Sequence, residues 1–294
     1  MKDREIPTIN PTPADLERAE QDRTIEAGLK RIGRKILVMS GKGGVGKSTV
    51  AATTALFLAS RGFRVGLLDV DLHGPSIPRL LGARGGLRME EKGVVKPYLT
   101  EGGLQIMSIE MVLGENKDAA IIWRGPLKIG AIRQFISDIQ WGDLDYLVVD
   151  SPPGTGDEPL TVAQTIPDAE ALVVTTPQEI SLADVRKSIN FCRQVKLKIL
   201  GLVENMAAMI CPHCGESVAL FGAGGGARMA KQMSVPLLAE IPTDPKVVEL
   251  GDQGRLKELV DMTDNAVKQA YDSLVDSLVA AGPGGEGEAA NRAR

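Results

Sequence analysis

Two spacings in this sequence suit side chains that do chemistry. Gly41-Lys42-Gly43-Gly44-Val45-Gly46-Lys47-Ser48 has the form Gly-x4-Gly-Lys-Ser and is followed by Thr49. Four glycines let the backbone curl until successive N–H groups point inward, and a following helix adds the positive end of its dipole, so the loop suits phosphate oxygens. Lys47 is placed for β- and γ-phosphates, Ser48 for a magnesium ion and Thr49 for the α-phosphate. Lys42 cannot easily fold back onto the same phosphates while Lys47 occupies them, so it is free to point outward. The second spacing is Cys211-Pro212-His213-Cys214, two thiolates that can grip one metal centre from a tight turn.

Carboxylates complete the first set. Asp69-Val70-Asp71 closes an apolar run, and a carboxylate there can hold magnesium through water or orient an attacking water. Asp71 is the candidate for the water and Asp69 the more structural of the two; a turn carboxylate is the plainer alternative. Tyr146-Leu147-Val148-Val149 ends in Asp150, which is expected to bond the water shell of magnesium. Gly154, after Pro152-Pro153, has no side chain, so its N–H can approach a γ-phosphate.

There are three cysteines. Cys192 lies in a helical pattern with Ile189, Phe191 and Val195 and is expected to be a small buried apolar residue. One chain therefore offers Cys211 and Cys214, and four thiolates require a second copy across a twofold axis. Zinc and iron–sulfur centres both use this spacing. A redox pair would normally open a helix directly after a strand, whereas this pair precedes the stretch Gly222–Gly226. His213 reads as an exposed turn residue.

The elements that must hold these residues alternate. Ile36–Met39, Val65–Leu68, Tyr146–Val149, Ala171–Val174 and Ile199–Val203 read as strands buried on both faces, separated by helical patterns. That order predicts an α/β fold: a single P-loop NTPase domain, residues 31–281, with a mostly parallel β-sheet covered by helices on both faces. Residues 1–30 are expected to form a flexible arm with a possible lead-in helix over residues 14–34, and residues 282–294 a disordered tail. Only 3% of residues are aromatic, so the core must be aliphatic. A net charge of −4 gives no basic footprint for nucleic acid or for an anionic membrane. The charged start Met1–Glu5 is no secretory signal, and no apolar run reaches the roughly 18 residues of a membrane span. With the cysteine usage, these point to the cytoplasm.

The segment Lys42–Ser48 resembles the deviant Walker A loop of the MinD, ParA and nitrogenase iron-protein class. The resemblance implies ATP as the nucleotide and a homodimer in which Lys42 crosses to the partner's nucleotide. Asn205 matches the residue that reads the adenine edge in that class, with Pro242 of Ile241–Asp244 packing beside the base. Together with Asp69–Ser76, Asp150–Asp157, Glu204-Asn205-Met206, Cys211–Glu216, Phe221-Gly222 and Ile241–Pro245, these motifs are similar to the Mrp (ApbC-like) family of iron–sulfur cluster carriers. That resemblance covers roughly residues 31–281. It implies ATP with Mg2+, a [4Fe-4S] cluster bridged by Cys211 and Cys214 of two copies, and delivery to apo iron–sulfur proteins by an ATP hydrolase, whose turnover is expected to be slow because no arginine finger in cis is evident. Two features depart from relatives: no cysteine precedes Cys192, and the stretch before Lys35 is shorter than the extra N-terminal domain of many bacterial members. His73 stands where those members often have tyrosine.

A positioning ATPase of the MinD or ParA type and a zinc-stapled P-loop ATPase are the alternatives. The first would want a basic amphipathic helix for lipid. The last helical pattern, with Leu256, Leu259, Val260, Val267, Leu274 and Leu278 on one face, is acidic instead and is expected to pack on the domain.

Overall fold

Ile36 and Val38 leave the first strand on one side, Leu37 and Met39 on the other, and all four are fully buried. That alternation is the period-2 geometry of a strand with helices on both faces. The computed structural model describes residues 12–72, 74–83, 88–89, 95–113 and 125–282. Residues 1–11 of the expected arm, the tail from 283 onward and His73 lie outside the described residues.

The described residues open with α1 (Pro13–Leu29), started by a capping box in which the Asp15 N–H donates to Thr12 Oγ1 at 3.3 Å and the Thr12 N–H to Asp15 Oδ2 at 2.9 Å. The helix stops at Leu29, earlier than the sequence pattern implied, because Ile32 already belongs to the next strand. Then come β1 (Ile32–Ser40), α2 (Lys47–Ser60), β2 (Val65–Asp69) and α3 (Ile77–Leu80). The short β3 (Arg88–Met89) and β4 (Val95–Lys96) pair with each other, and β5 (Tyr98–Leu99), β6 (Gln105–Ser108), α4 (Ile109–Leu113) and α5 (Gly125–Asp138) follow. The second half runs β7 (Leu144–Asp150), α6 (Asp157–Thr165), β8 (Glu170–Thr175), α7 (Glu179–Gln194), β9 (Lys198–Ile210), β10 (Ser217–Val218) and α8 (Gly225–Met233). It closes with β11 (Leu237–Thr243), α9 (Pro245–Asp252), a 3-10 turn (Leu256–Asp261) and α10 (Ala266–Ala280).

Nine strands form one sheet in the order β10-β9-β8-β1-β7-β2-β6-β5, with β11 also on β9. The five expected strands are β1, β2, β7, β8 and β9, and all run parallel. The antiparallel members are the two-residue strands β5 and β10. β6 and β11 were not read from the sequence. Helices α1, α5, α6, α7 and α8 bury one face of the sheet and α2, α3, α9 and α10 the other. Each fully buried Leu or Ile in these layers contributes about 1.5–3 kcal/mol by leaving water.

α1 is docked on this body. Ile25 and Leu29 enter the core, and Gln21 bonds Gln134 of α5 at 3.0 Å. The terminal helical pattern is broken in two at residues 262–265, where Asp264 takes φ 52° and Asn265 caps α10 through the Lys268 N–H at 3.0 Å. Val267, Leu274 and Leu278 are buried against the domain. No described helix is long and apolar enough to cross a membrane.

Candidate functional site

Because β1, β2, β7 and β9 run parallel, their carboxyl ends meet at one rim of the sheet, where ligands of such folds sit. β1 delivers the loop Gly41–Gly46 and α2 begins at Lys47. Gly44 and Gly46 take φ 79° and 81°, the left-handed region that side chains resist. At Gly46 space is also decisive: a Cβ there would lie 2.2 Å from Asn205 Nδ2. That nitrogen donates to the Val45 carbonyl at 2.9 Å, so Asn205 lies directly on the phosphate loop. The sequence placed Asn205 at a strand end; it stands inside β9, which continues to Ile210 because β10 pairs with its outer half.

Asp69 and Asp150 are register partners on β2 and β7, and both are fully buried. Lys47 Nζ donates to Asp150 Oδ1 at 2.5 Å and lies 3.6 Å from Asp71 Oδ2. Burial pushes the Asp150 carboxyl upward and Lys47 pulls it back. Asp69 is pushed up to about 8, first by burial and then by the charge of Asp150. It accepts from the Ser108 hydroxyl at 2.9 Å and from the Asp71 N–H at 3.2 Å.

Asp150 Oδ2 is buried and has no hydrogen-bond partner among the described residues. A buried carboxylate oxygen left open is costly, and it points to a cation or ordered water. The Ser48 hydroxyl accepts from Lys47 Nζ at 3.4 Å and, after Lys47, draws the Asp150 carboxyl downward. Hydroxyl and carboxylate oxygens are the donors magnesium prefers, so these residues fit that ion.

Gly154 has φ 90°, and its N–H donates to the Ser40 carbonyl at 2.8 Å. In this arrangement the N–H expected to meet a γ-phosphate is engaged, and it must leave Ser40 to do so. Lys42 is half-buried and makes no ion pair among the described residues. Beside the loop lies a cavity of about 240 Å³ whose lining includes Gly46, Thr49, Asn205, Ile241, Pro242 and Tyr271. That is smaller than the roughly 300–1,000 Å³ of whole-ligand pockets, so it suits one part of a ligand with the remainder on the open loop.

The cysteine pair stands at the end of β9. Cys211 is half-buried and Cys214 exposed, on a turn closed by the Gly215 N–H on the Cys211 carbonyl and the Cys211 N–H on the Glu216 carbonyl, each 2.9 Å. The backbone N–H groups of Cys214 and then His213, followed by the Cys214 side chain, hold the Cys211 thiol below its usual range. Among the described residues no third His, Cys, Asp or Glu gathers with them. Cys192 is fully buried against Met39, 3.7 Å from its sulfur, and burial pushes its thiol up to about 11.

A family model described as NUBPL iron-transfer P-loop NTPase, of the ParA group, matches residues 31–279. The chain belongs to this iron-transfer P-loop NTPase family. Among relatives of the family, the iron-sulfur cluster carrier protein of Methanocaldococcus jannaschii is 47% identical over 244 residues, 83% of this chain and 84% of that one. The cytosolic Fe-S cluster assembly factor CFD1 of Saccharomyces cerevisiae is 49% identical over 232 residues, 76% of this chain and 78% of its own. A solved nucleotide-binding protein of Archaeoglobus fulgidus, in complex with ADP, superposes with TM-score 0.71 at 44% identity, covering 81% of this chain and 93% of that one. The cell division ATPase MinD of Pyrococcus furiosus shares the fold, with TM-score 0.60 at 24% identity, covering 84% and 98%.

Two residues of this iron-transfer NTPase were missed as site components. Ser108 ends β6 as Asp69 and Asp150 end β2 and β7, and a polar residue closing an apolar run was the available signal. Glu204 was only a motif letter; its carboxylate accepts the Gly226 N–H at 2.5 Å, a partner with no local sequence signal.

Proposed function

We propose that the protein is an ATP-dependent iron–sulfur cluster carrier of the cytoplasm. Two copies hold one [4Fe-4S] cluster as cargo between their Cys211 and Cys214 pairs and pass it to apo-proteins. The observation that carries this is the cysteine turn: two accessible thiols, one of them favoured as thiolate, with no third ligand among the described residues. A symmetric partner completes four sulfur ligands.

ATP is held with its phosphates in the loop Gly41–Thr49 and its base in the cavity of Asn205 and Pro242. Lys47 turns from Asp150 to the phosphates, which frees the Asp150 carboxylate, with Ser48, to hold magnesium. That ion neutralises charge on the phosphates. Asp71 orients the attacking water, Lys42 reaches the partner's nucleotide, and the Gly154 N–H exchanges Ser40 for the γ-phosphate. Slow hydrolysis then times loading or release of the cargo.

The test is iron, sulfide and zinc analysis of anaerobically reconstituted protein together with its mass in solution. About four irons and four sulfides per dimer are expected, lost in Cys211→Ser and Cys214→Ser while nucleotide binding survives. Zinc in place of iron, or a full complement of iron on a monomer, would overturn it.

A further inference from the structure

The roots of the cysteine hairpin converge on three consecutive residues. Successive side chains of a strand point to opposite faces, and Glu204 and Asn205 use both. Glu204, 1% exposed, turns toward α8 and accepts the N–H of Gly226 in its first turn. A Cβ on Gly226 would lie 2.9 Å from the Cβ of Glu204, so the contact is close enough to require glycine. Asn205 turns the other way, onto the Val45 carbonyl.

Met206 follows at φ 56°, a left-handed conformation sparsely populated by non-glycine residues and a mark of backbone held under constraint. Its terminal methyl lies 3.6 Å from where a Cβ of Gly46 would stand. The pairing of β11 with β9 shifts register just here, between Asn205 and Met209. Beyond Met206 the strand leaves the buried sheet: residues 206–211 are half-buried and 212–223 exposed. The chain returns at Gly224, also left-handed at φ 67°, and enters α8, where Arg228 bonds the Ala223 carbonyl at 3.1 Å and Glu179 at 2.7 Å.

The outgoing root at Met206 therefore rests on the phosphate loop, and the incoming root at Gly226 hangs from Glu204, two residues earlier. We infer that Glu204 and Met206 are positioning residues that transmit the state of the phosphate loop to the Cys211–Cys214 turn, with Met206 as the hinge and Glu204 as the tie. The inference rests on the proposal that nucleotide and cysteine sites serve one function. A shift of Val45 or Gly46 around phosphate moves Asn205 and Met206, and the tie prevents the hairpin's other root from absorbing the motion. The two cysteines then change their spacing and exposure.

The test reads thiols in the full-length, metal-free protein, so a failed iron reconstitution leaves it interpretable. Labelling rates of Cys211 and Cys214 by an aromatic disulfide are measured with and without magnesium ATP, at concentrations that saturate each variant. Dilution series separate dimer protection from the response of one chain. In the unaltered protein nucleotide should change the rate by about fivefold or more, the scale of ordinary site-to-site coupling. Glu204→Ala and Met206→Gly should reduce that response to less than about twofold, while Glu204→Gln, which keeps an oxygen for the Gly226 N–H, retains it. Met206→Gly suits its backbone conformation, and an unfolding midpoint matching that of the unaltered protein separates its loss of response from misfolding. An unchanged response in Glu204→Ala and Met206→Gly, a response lost equally in Glu204→Gln, or none in the unaltered protein would overturn the inference.

Discussion

Lys47 and Asp150 neutralise one another across 2.5 Å in the buried floor of the phosphate loop. Removing only the lysine leaves a buried carboxylate whose other oxygen already lacks a partner. Lys47→Met should therefore destabilise the nucleotide-free protein by about 3–5 kcal/mol at neutral pH. The loss should shrink in acid as Asp150 takes a proton, and adding Asp150→Asn should recover most of it. Urea unfolding across the double-mutant cycle measures this; a double variant as unstable as the single one would mean the pair is not the source.

Gly44 and Gly46 separate backbone strain from collision. Their φ values are 79° and 81°, but a Cβ at Gly44 meets nothing within 4 Å, while one at Gly46 strikes Asn205 at 2.2 Å. Gly44→Ala should cost about 1–2 kcal/mol, the left-handed penalty alone. Gly46→Ala should cost more and should also abolish nucleotide binding. Calorimetric unfolding with nucleotide titration compares them, and equal losses would rule out the collision.

Asp69 gives the nucleotide-free protein a pH-dependent stability. Its folded pKa, about 8, lies above the unfolded value near 3.8. Between those values the folded state holds the extra proton, so stability falls as pH rises through that window and is flat above it. The slope of this one group cannot exceed about 1.4 kcal/mol per pH unit. Asp69→Asn, which can keep an oxygen for the Asp71 N–H and a donor for Ser108, should flatten that part of the profile. An unchanged profile in chemical denaturation between pH 5 and 8 would place the source elsewhere.

The three thiols should divide by reactivity. Cys211 is half-buried at the surface turn with its thiolate favoured by backbone N–H groups, and Cys214 is exposed beside it. Cys192 is sealed in the core with its thiol pushed up to about 11. Alkylation of the metal-free native protein followed by peptide mass analysis should modify Cys211 and Cys214 within minutes and Cys192 only after unfolding. Labelling of native Cys192 at a comparable rate would contradict its burial.

The central strands and the phosphate loop were legible because each level of the sequence agreed: apolar runs without alternation, a glycine loop, then a helical pattern. Legibility fell where partners are distant. β11 contains Pro242, which weakens a strand signal, and β6 is four residues long. The outer half of β9 was not read as strand because its hydrophobic pattern is interrupted at Asn205 and it is only partly covered. The interruption of the helix ahead of α10 is set by the left-handed Asp264 and the Asn265 cap, while the apolar spacing runs across it. Glu204 is the clearest case. Nothing within a few residues of a buried glutamate announces a glycine amide 22 positions away.

The sheet's two rims limit how copies of the chain can meet. One rim is β5, only two residues long; the other is shared by β10, also two residues long, and β11, which carries Pro242 and a shifted register. Among the described residues neither offers a long regular row of N–H and C=O groups on which a further strand could build. Ribbon-like stacking of many copies edge to edge is thereby discouraged.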